Sequence, residues 1–143
     1  MAASKARLRH IAISVADVAA TQKFFEDAFG MTKAGDAGRG VYMTDGTINV
    51  ALLDYKGGKI PDMNNEKPLI GTIHFGMWVD DLAQAEAQAE AQATAAGAVY
   101  LRGRPTENSV SNYEVKFRDP TGIVFDLSAG GWKGAVKEVK PAD

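Results

Sequence analysis

Two histidines are the only imidazoles in this 143-residue chain, and each opens a matching segment. The first reads His10-Ile-Ala-Ile-Ser-Val-Ala-Asp17-Val18, the second His74-Phe-Gly-Met-Trp-Val-Asp-Asp81-Leu82. Apolar residues match apolar ones, Val15 matches Val79 and Asp17 matches Asp81, at a constant offset of 64 residues. A duplicated module with one imidazole placed identically in each copy can bring two nitrogen ligands together across a pseudo-twofold axis. Two neutral imidazoles suit a divalent metal. There is no cysteine, so disulfides, thiolate zinc sites and cysteine nucleophiles are excluded. Any metal must be held by histidine, carboxylate, amide or water.

The elements that must position these residues follow from local patterns. Residues 8–15 alternate, with Ile11, Ile13 and Val15 on one face and Leu8, His10, Ala12 and Ser14 on the other, which predicts a strand. Asp17 is placed to cap a helix whose apolar stripe is Val18, Thr21, Phe25, Ala28 and Phe29, and Gly30 ends it. Residues 31–40 read as loop. Val41–Thr44 and Thr47–Leu53 read as a hairpin around Asp45-Gly46. The first module is therefore strand, helix, loop, hairpin over 7–53. Residues 54–70, rich in Gly, Pro and Asn, read as a linker. A second module over 71–128 repeats the order. Its strand places Ile73, Phe75, Met77 and Val79 on the core face. Its helix over 82–96 is an Ala-Gln-Ala-Glu tract, where helix propensity overrides an alternation that mimics a strand. Its hairpin joins Tyr113–Arg118 to Ile123–Ser128. The tail 129–143 carries Trp132 and has no readable pattern. All 143 residues are expected to form one domain.

Burial patterns assign faces. Ile123, Phe125 and Leu127 point to the helices, so Val124, Asp126 and Ser128 point away; Tyr113, Val115 and Phe117 oppose Glu114, Lys116 and Arg118 in the same manner. His10 and His74 also lie opposite their strands' core residues. His10, His74 and Asp126 are thus expected on one non-helical face of a curved sheet. Two histidines and one carboxylate with open positions suit Fe(II), Mn(II), Ni(II) or Zn(II).

Four segments resemble the vicinal oxygen chelate superfamily, which includes glyoxalase I, extradiol dioxygenases, and fosfomycin and bleomycin resistance proteins. They are His10–Asp17, Phe24-Phe-Glu-Asp-Ala-Phe-Gly30, His74–Asp81 and Phe117-Arg-Asp-Pro-Thr-Gly-Ile-Val-Phe-Asp126-Leu. The resemblance implies an α+β fold. In it, two paired βαβββ modules form a cup-shaped mixed sheet around a divalent metal, with helices on the convex side. It implies His10 and His74 as ligands, with Asp126 where the family usually has Glu. The corresponding first-module position falls at Asn49, Val50 or Ala51, none of them acidic. Lys116 lies ten residues before Asp126, where extradiol dioxygenases carry a tyrosine, and is expected as a general acid or as the holder of an anionic group. Tyr42, Asn49 and Trp78 are expected at the substrate, and Arg102, Arg104 and Asn112 around a polar loop beside the site.

The implied activity is dioxygenase-like or lyase-like chemistry on a small substrate chelated through neighbouring oxygens. The alternative is a metal-free module that sequesters a small molecule, as bleomycin resistance proteins do. Exposed strand edges and an Ala-rich helix, with the resemblance, imply a homodimer. A net charge of −2 and no basic stripe give no expectation of nucleic-acid binding. No apolar run is long enough to cross a membrane, and the first residues lack the apolar core of a secretory signal, so a cytoplasmic location is expected.

Overall fold

The computed structural model describes residues 5–80, 83–103 and 114–139, with side chains in the second helix from Ala89 onward. The chain divides into two units. The first comprises Arg9–Ile73 and Trp132–Asp143, the second Met1–Leu8 and His74–Gly131. Each carries a βαβββ order. In the first, β1 (Arg7–Ser14) leads into α1 (Val18–Phe29), then β2 (Thr32–Asp36), β3 (Gly40–Thr44) and β4 (Asn49–Leu53). In the second, β5 (Gly71–Trp78) leads into α2 (Ala83–Ala95), then β6 (Val99–Arg102), β7 (Val115–Arg118) and β8 (Val124–Ser128). The strand order is β2-β3-β4-β1 in one and β5-β8-β7-β6 in the other. The opening strand of each unit pairs parallel with the last, and the rest pair antiparallel. This is the expected α+β mixed-sheet class.

Local chemistry sets the ends of α1. The Asp17 carboxylate accepts from the Ala20 N–H at 3.0 Å, and Gly30 closes the helix at φ 67°. The Asp45-Gly46 hairpin forms as read, with the Asp45 carboxylate accepting from the N–H groups of Thr47 and Ile48. These bonds hold the Asp45 carboxyl below its usual range, that from Ile48 foremost.

One face of the first unit's sheet buries Val15, Val41, Met43, Val50 and Leu52, against which Val18 and Phe25 of α1 pack. Burying a side chain the size of Met43 or Leu52 contributes about 1.5–3 kcal/mol. The opposite face is also covered. Ala12, Ala51, Ile60 and Ile73 form a second buried cluster, flanked by Tyr42, Tyr55, Met63 and Leu69. Residues 54–70, expected as a linker, therefore fold back on the sheet. The Asn65 side chain ties that fold by accepting from the Ile60 N–H and donating to the carbonyls of Gly58 and Lys67. The second unit's core is Val79, Ala89, Val115, Phe117, Phe125 and Leu127, with Phe75, Phe125 and Phe117 stacked at 5.6 Å intervals.

Several readings need correction. Residues 32–36 form a strand, not loop; among the described residues β2 pairs with β3 alone, through a bulge at Lys33/Gly35, so it needs no alternating pattern of its own. Ala28 and Phe29 lie on the exposed side of α1, and no residue of that helix is buried. Ile123 precedes β8 and is exposed, whereas Phe125 and Leu127 are buried as expected. Ile73 packs with Ala12 and Ile60 rather than with Phe75 and Val79.

Candidate functional site

In the second unit the register decides which side chains meet. Lys116 of β7 is the cross-strand partner of Asp126 in β8, and Asp126 is in turn the partner of Gly76 in β5. His74 lies two residues before Gly76, on the same face, and Gly76 contributes no side chain on that face. The His74 Nε2 stands 3.3 Å from Asp126 Oδ2. The Lys116 ammonium donates to Asp126 Oδ1 at 2.5 Å and reaches Glu114 at 3.4 Å. Asp126 is fully buried and Lys116 nearly so. Burial, then the negative charge of Glu114, push the Asp126 carboxyl up to about 8 against the opposing pull of Lys116. The unit thus holds a half-buried imidazole nitrogen and a fully buried carboxyl oxygen side by side. Trp78 lies next along this face beyond Gly76, and its indole N–H donates to the Ala129 carbonyl at 2.9 Å.

The first unit holds the other imidazole. His10 is the register partner of Asn49. Its Nδ1 is 2.7 Å from Asn49 Oδ1, while Asn49 Nδ2 donates to the Lys133 carbonyl at 2.7 Å. The Trp132 ring stacks on the imidazole at 4.8 Å, 9° from parallel. His10 is buried, as is Asn49. The polar face expected around His10 is therefore roofed by the chain's own tail. Arg9 fastens that tail by donating to the Val136 and Lys137 carbonyls, and Thr44 by donating to the Gly134 carbonyl.

The two units differ where a second carboxylate could stand. Ala12 pairs with Ala51 as Gly76 pairs with Asp126, so the counterpart of Asp126 is Ala51. Asn49 corresponds instead to Val124. Of the residues expected at a substrate, Tyr42 packs against the cluster containing Ile60, and Asn49 divides its amide between His10 and Lys133. Arg102 ends β6 and is exposed. Arg104, Asn112, Tyr113 and Asp81 lie outside the described residues.

Pattern reading missed Trp132 and the Lys133 carbonyl. The available signal was an aromatic residue between Gly131 and Gly134, both of which adopt positive φ.

A family model described as Glyoxalase/Bleomycin resistance protein/Dioxygenase superfamily matches residues 7–127. The chain belongs to this superfamily. Solved structures of similar fold include the 2,3-dioxygenase LapB from Pseudomonas sp. KL28. It is 19% identical, with a TM-score of 0.62 over 90% of this chain and 42% of that one. The Mn(II)-bound glyoxalase from Novosphingobium aromaticivorans is 18% identical, with a TM-score of 0.65 over 96% and 43%. A hypothetical protein from Bacillus halodurans C-125 is 13% identical, with a TM-score of 0.61 over 96% and 99%. This superfamily member thus spans about two fifths of the length of the dioxygenase and the glyoxalase. No curated protein matches its sequence. No helix among the described residues is long and apolar enough to cross a membrane.

Proposed function

We propose that this chain is a divalent-metal-dependent enzyme of the vicinal oxygen chelate type. Its substrate is a small molecule offering two neighbouring oxygens, and its reaction is dioxygenase-like or lyase-like. His10, His74 and Asp126 are the proposed protein ligands. The observation that carries this reading is the pair of half-buried His74 and fully buried Asp126, with Nε2 and Oδ2 3.3 Å apart. Lys116 offsets part of the cost of burying Asp126 through Oδ1, and a metal cation shared by Oδ2 and His74 would offset more. Further support comes from the duplication, which gives each βαβββ unit one histidine at the same strand position, and from superfamily membership.

The donor set fits a borderline divalent ion such as Fe(II), Mn(II), Ni(II) or Zn(II). When bound, such an ion supplies a Lewis acid for adjacent substrate oxygens. The protein groups do the rest. Lys116 holds Asp126 Oδ1, which turns Oδ2 toward His74, so its first role here is to orient the carboxylate. Trp132 and the buried strand faces exclude water from His10. Trp78 offers a flat surface for a planar substrate.

The test is metal analysis of protein purified without chelator. About one ion per chain is expected, lost in His74→Ala with the fold kept by circular dichroism. Stoichiometric metal that survives replacement of both histidines would sink the ligand assignment. Metal-free protein that still binds small molecules would favour a sequestering module.

We also propose a homodimer. No residue of α1 is buried, and Phe24 and Phe29 are 57% and 63% exposed, as a face covered by a second copy would be. A monomer by sedimentation at micromolar concentration would reject it.

A further inference from the structure

We propose that Asn49 is a positioning residue for His10, and that the tail from Trp132 to Lys137 aims it. The amide keeps the imidazole proton on Nδ1 and leaves the Nε2 lone pair to face a divalent cation. This rests on the metal reading above and deepens it.

An asparagine amide can present either end with nearly the same shape, so its orientation must be set by its partners. Here Asn49 Nδ2 lies 2.7 Å from the Lys133 carbonyl, which only accepts. The donor end is thereby committed, and Oδ1 must face His10 Nδ1 at 2.7 Å. Because Oδ1 only accepts as well, the proton sits on Nδ1. With the amide reversed, an NH₂ would face Nδ1 and drive the proton to Nε2, the wrong tautomer for ligation through that atom. One backbone carbonyl therefore sets the amide, and through it favours the proton on Nδ1 of His10. Ligating histidines are commonly oriented through such a bond from their other nitrogen.

The carbonyl belongs to a built segment. Trp132 stacks flat on the imidazole and fixes its plane. Arg9, Thr44 and the Thr47 carbonyl, which accepts from the Val136 N–H, bind the residues that follow. Gly134 has φ 81°, and a Cβ there would come within 2.7 Å of Thr44 and 2.8 Å of Ala34, so the tail approaches the sheet as closely as a glycine permits. The superfamily match ends at residue 127, before this segment begins. Asn49 corresponds to Val124 in the second unit, so the duplication does not account for it either.

The experiment uses metal-free, full-length protein with ¹⁵N-labelled histidine, and His74→Gln to assign the two rings. Long-range ¹H–¹⁵N spectra at pH 8 report the tautomer, and competition with a chromophoric chelator reports Zn²⁺ affinity. Wild type should carry the His10 proton on Nδ1. Asn49→Leu, similar in size and without an acceptor, should move it toward Nε2 and weaken Zn²⁺ by about 10–100-fold. Asn49→Asp keeps the acceptor and should keep the tautomer. A wild-type proton on Nε2 would overturn the proposal. So would an Asn49→Leu protein whose tautomer or Zn²⁺ affinity matches wild type. Should that variant not fold, the wild-type tautomer and Asn49→Asp still decide. Wild type that takes up no Zn²⁺ would overturn the metal reading itself, whereas tight binding indifferent to Asn49 would overturn only this assignment.

Discussion

Replacing Asp126 by asparagine tests the electrostatics of the site without disturbing its shape. In the metal-free fold the carboxyl is pushed up to about 8, from 3.8 for a free side chain. Between those values the native protein holds a proton that the unfolded chain has released. Unfolding then releases one proton, and stability falls as pH rises through the window, by about 1.36 kcal/mol per pH unit. Below 3.8 and above about 8 the effect levels off. The amide of the variant has no such proton to release. The unfolding free energy of Asp126→Asn minus that of wild type should therefore grow by roughly 2–3 kcal/mol from pH 5 to pH 7. The amide oxygen of the variant still accepts from Lys116, so the weakening of that bond adds an offset of about 1 kcal/mol, which moves the curve with little change of slope. Urea unfolding of chelator-treated protein, followed by tryptophan fluorescence, measures both curves. Repeating it in a His74→Gln background removes any contribution of the neighbouring imidazole. A difference that stays constant within about 0.5 kcal/mol between pH 5 and 7 would refute the argument that burial raises this carboxyl. With Asp126 as a ligand, as proposed, binding a metal would expel the same proton, so wild-type affinity should rise with pH toward about 8 while Asp126→Asn stays weak.

Asp126→Glu should retain metal, because the added methylene shifts the carboxylate by about one bond length; chelator competition giving the same affinity for the Glu and Asn variants would argue against ligation. Gly134→Ala should loosen the tail at a cost of about 1–3 kcal/mol, since the residue has φ 81° and stands against Thr44 and Ala34. Trp132 should then report greater solvent exposure in a Trp78→Phe background. Ile60→Ala, at a side chain only 3% exposed, should cost about 2–4 kcal/mol and make residues 54–70 sensitive to limited proteolysis. Unchanged cleavage would mean that Ile60 does not anchor the segment.

What could be read from the sequence was what short-range chemistry determines. Asp17 and Gly30 bracket α1 because a cap acts within a few residues, and Asp45-Gly46 turns the chain for the same reason. The two histidines stood out because a repeat is visible at any distance. Propensity rightly overruled period in the Ala-Gln tract of α2. The failures share a cause. β2 is a strand because β3 pairs with it, Ile60 is buried because the face containing Ala12 and Ala51 accepts it, and Trp132 matters because His10 lies beneath it. Each depends on a partner distant in sequence and leaves no periodic trace. The Ala51 counterpart of Asp126 likewise needed strand register, which spacing alone left open across three residues.

The tail also constrains how the molecule can be born. Arg9 reaches across 127 residues of sequence to the Val136 carbonyl, and Asn49 across 84 to that of Lys133. A ribosome emits His10 well before Trp132, which roofs it. Until then β1 can pair with β4, but no Lys133 carbonyl orients the Asn49 amide and no indole covers the imidazole. Contacts of such long separation slow folding, because the chain between must be ordered before they form. The half-made protein therefore presents His10 uncovered, and this set of bonds closes only once residues 132–137 have been synthesised.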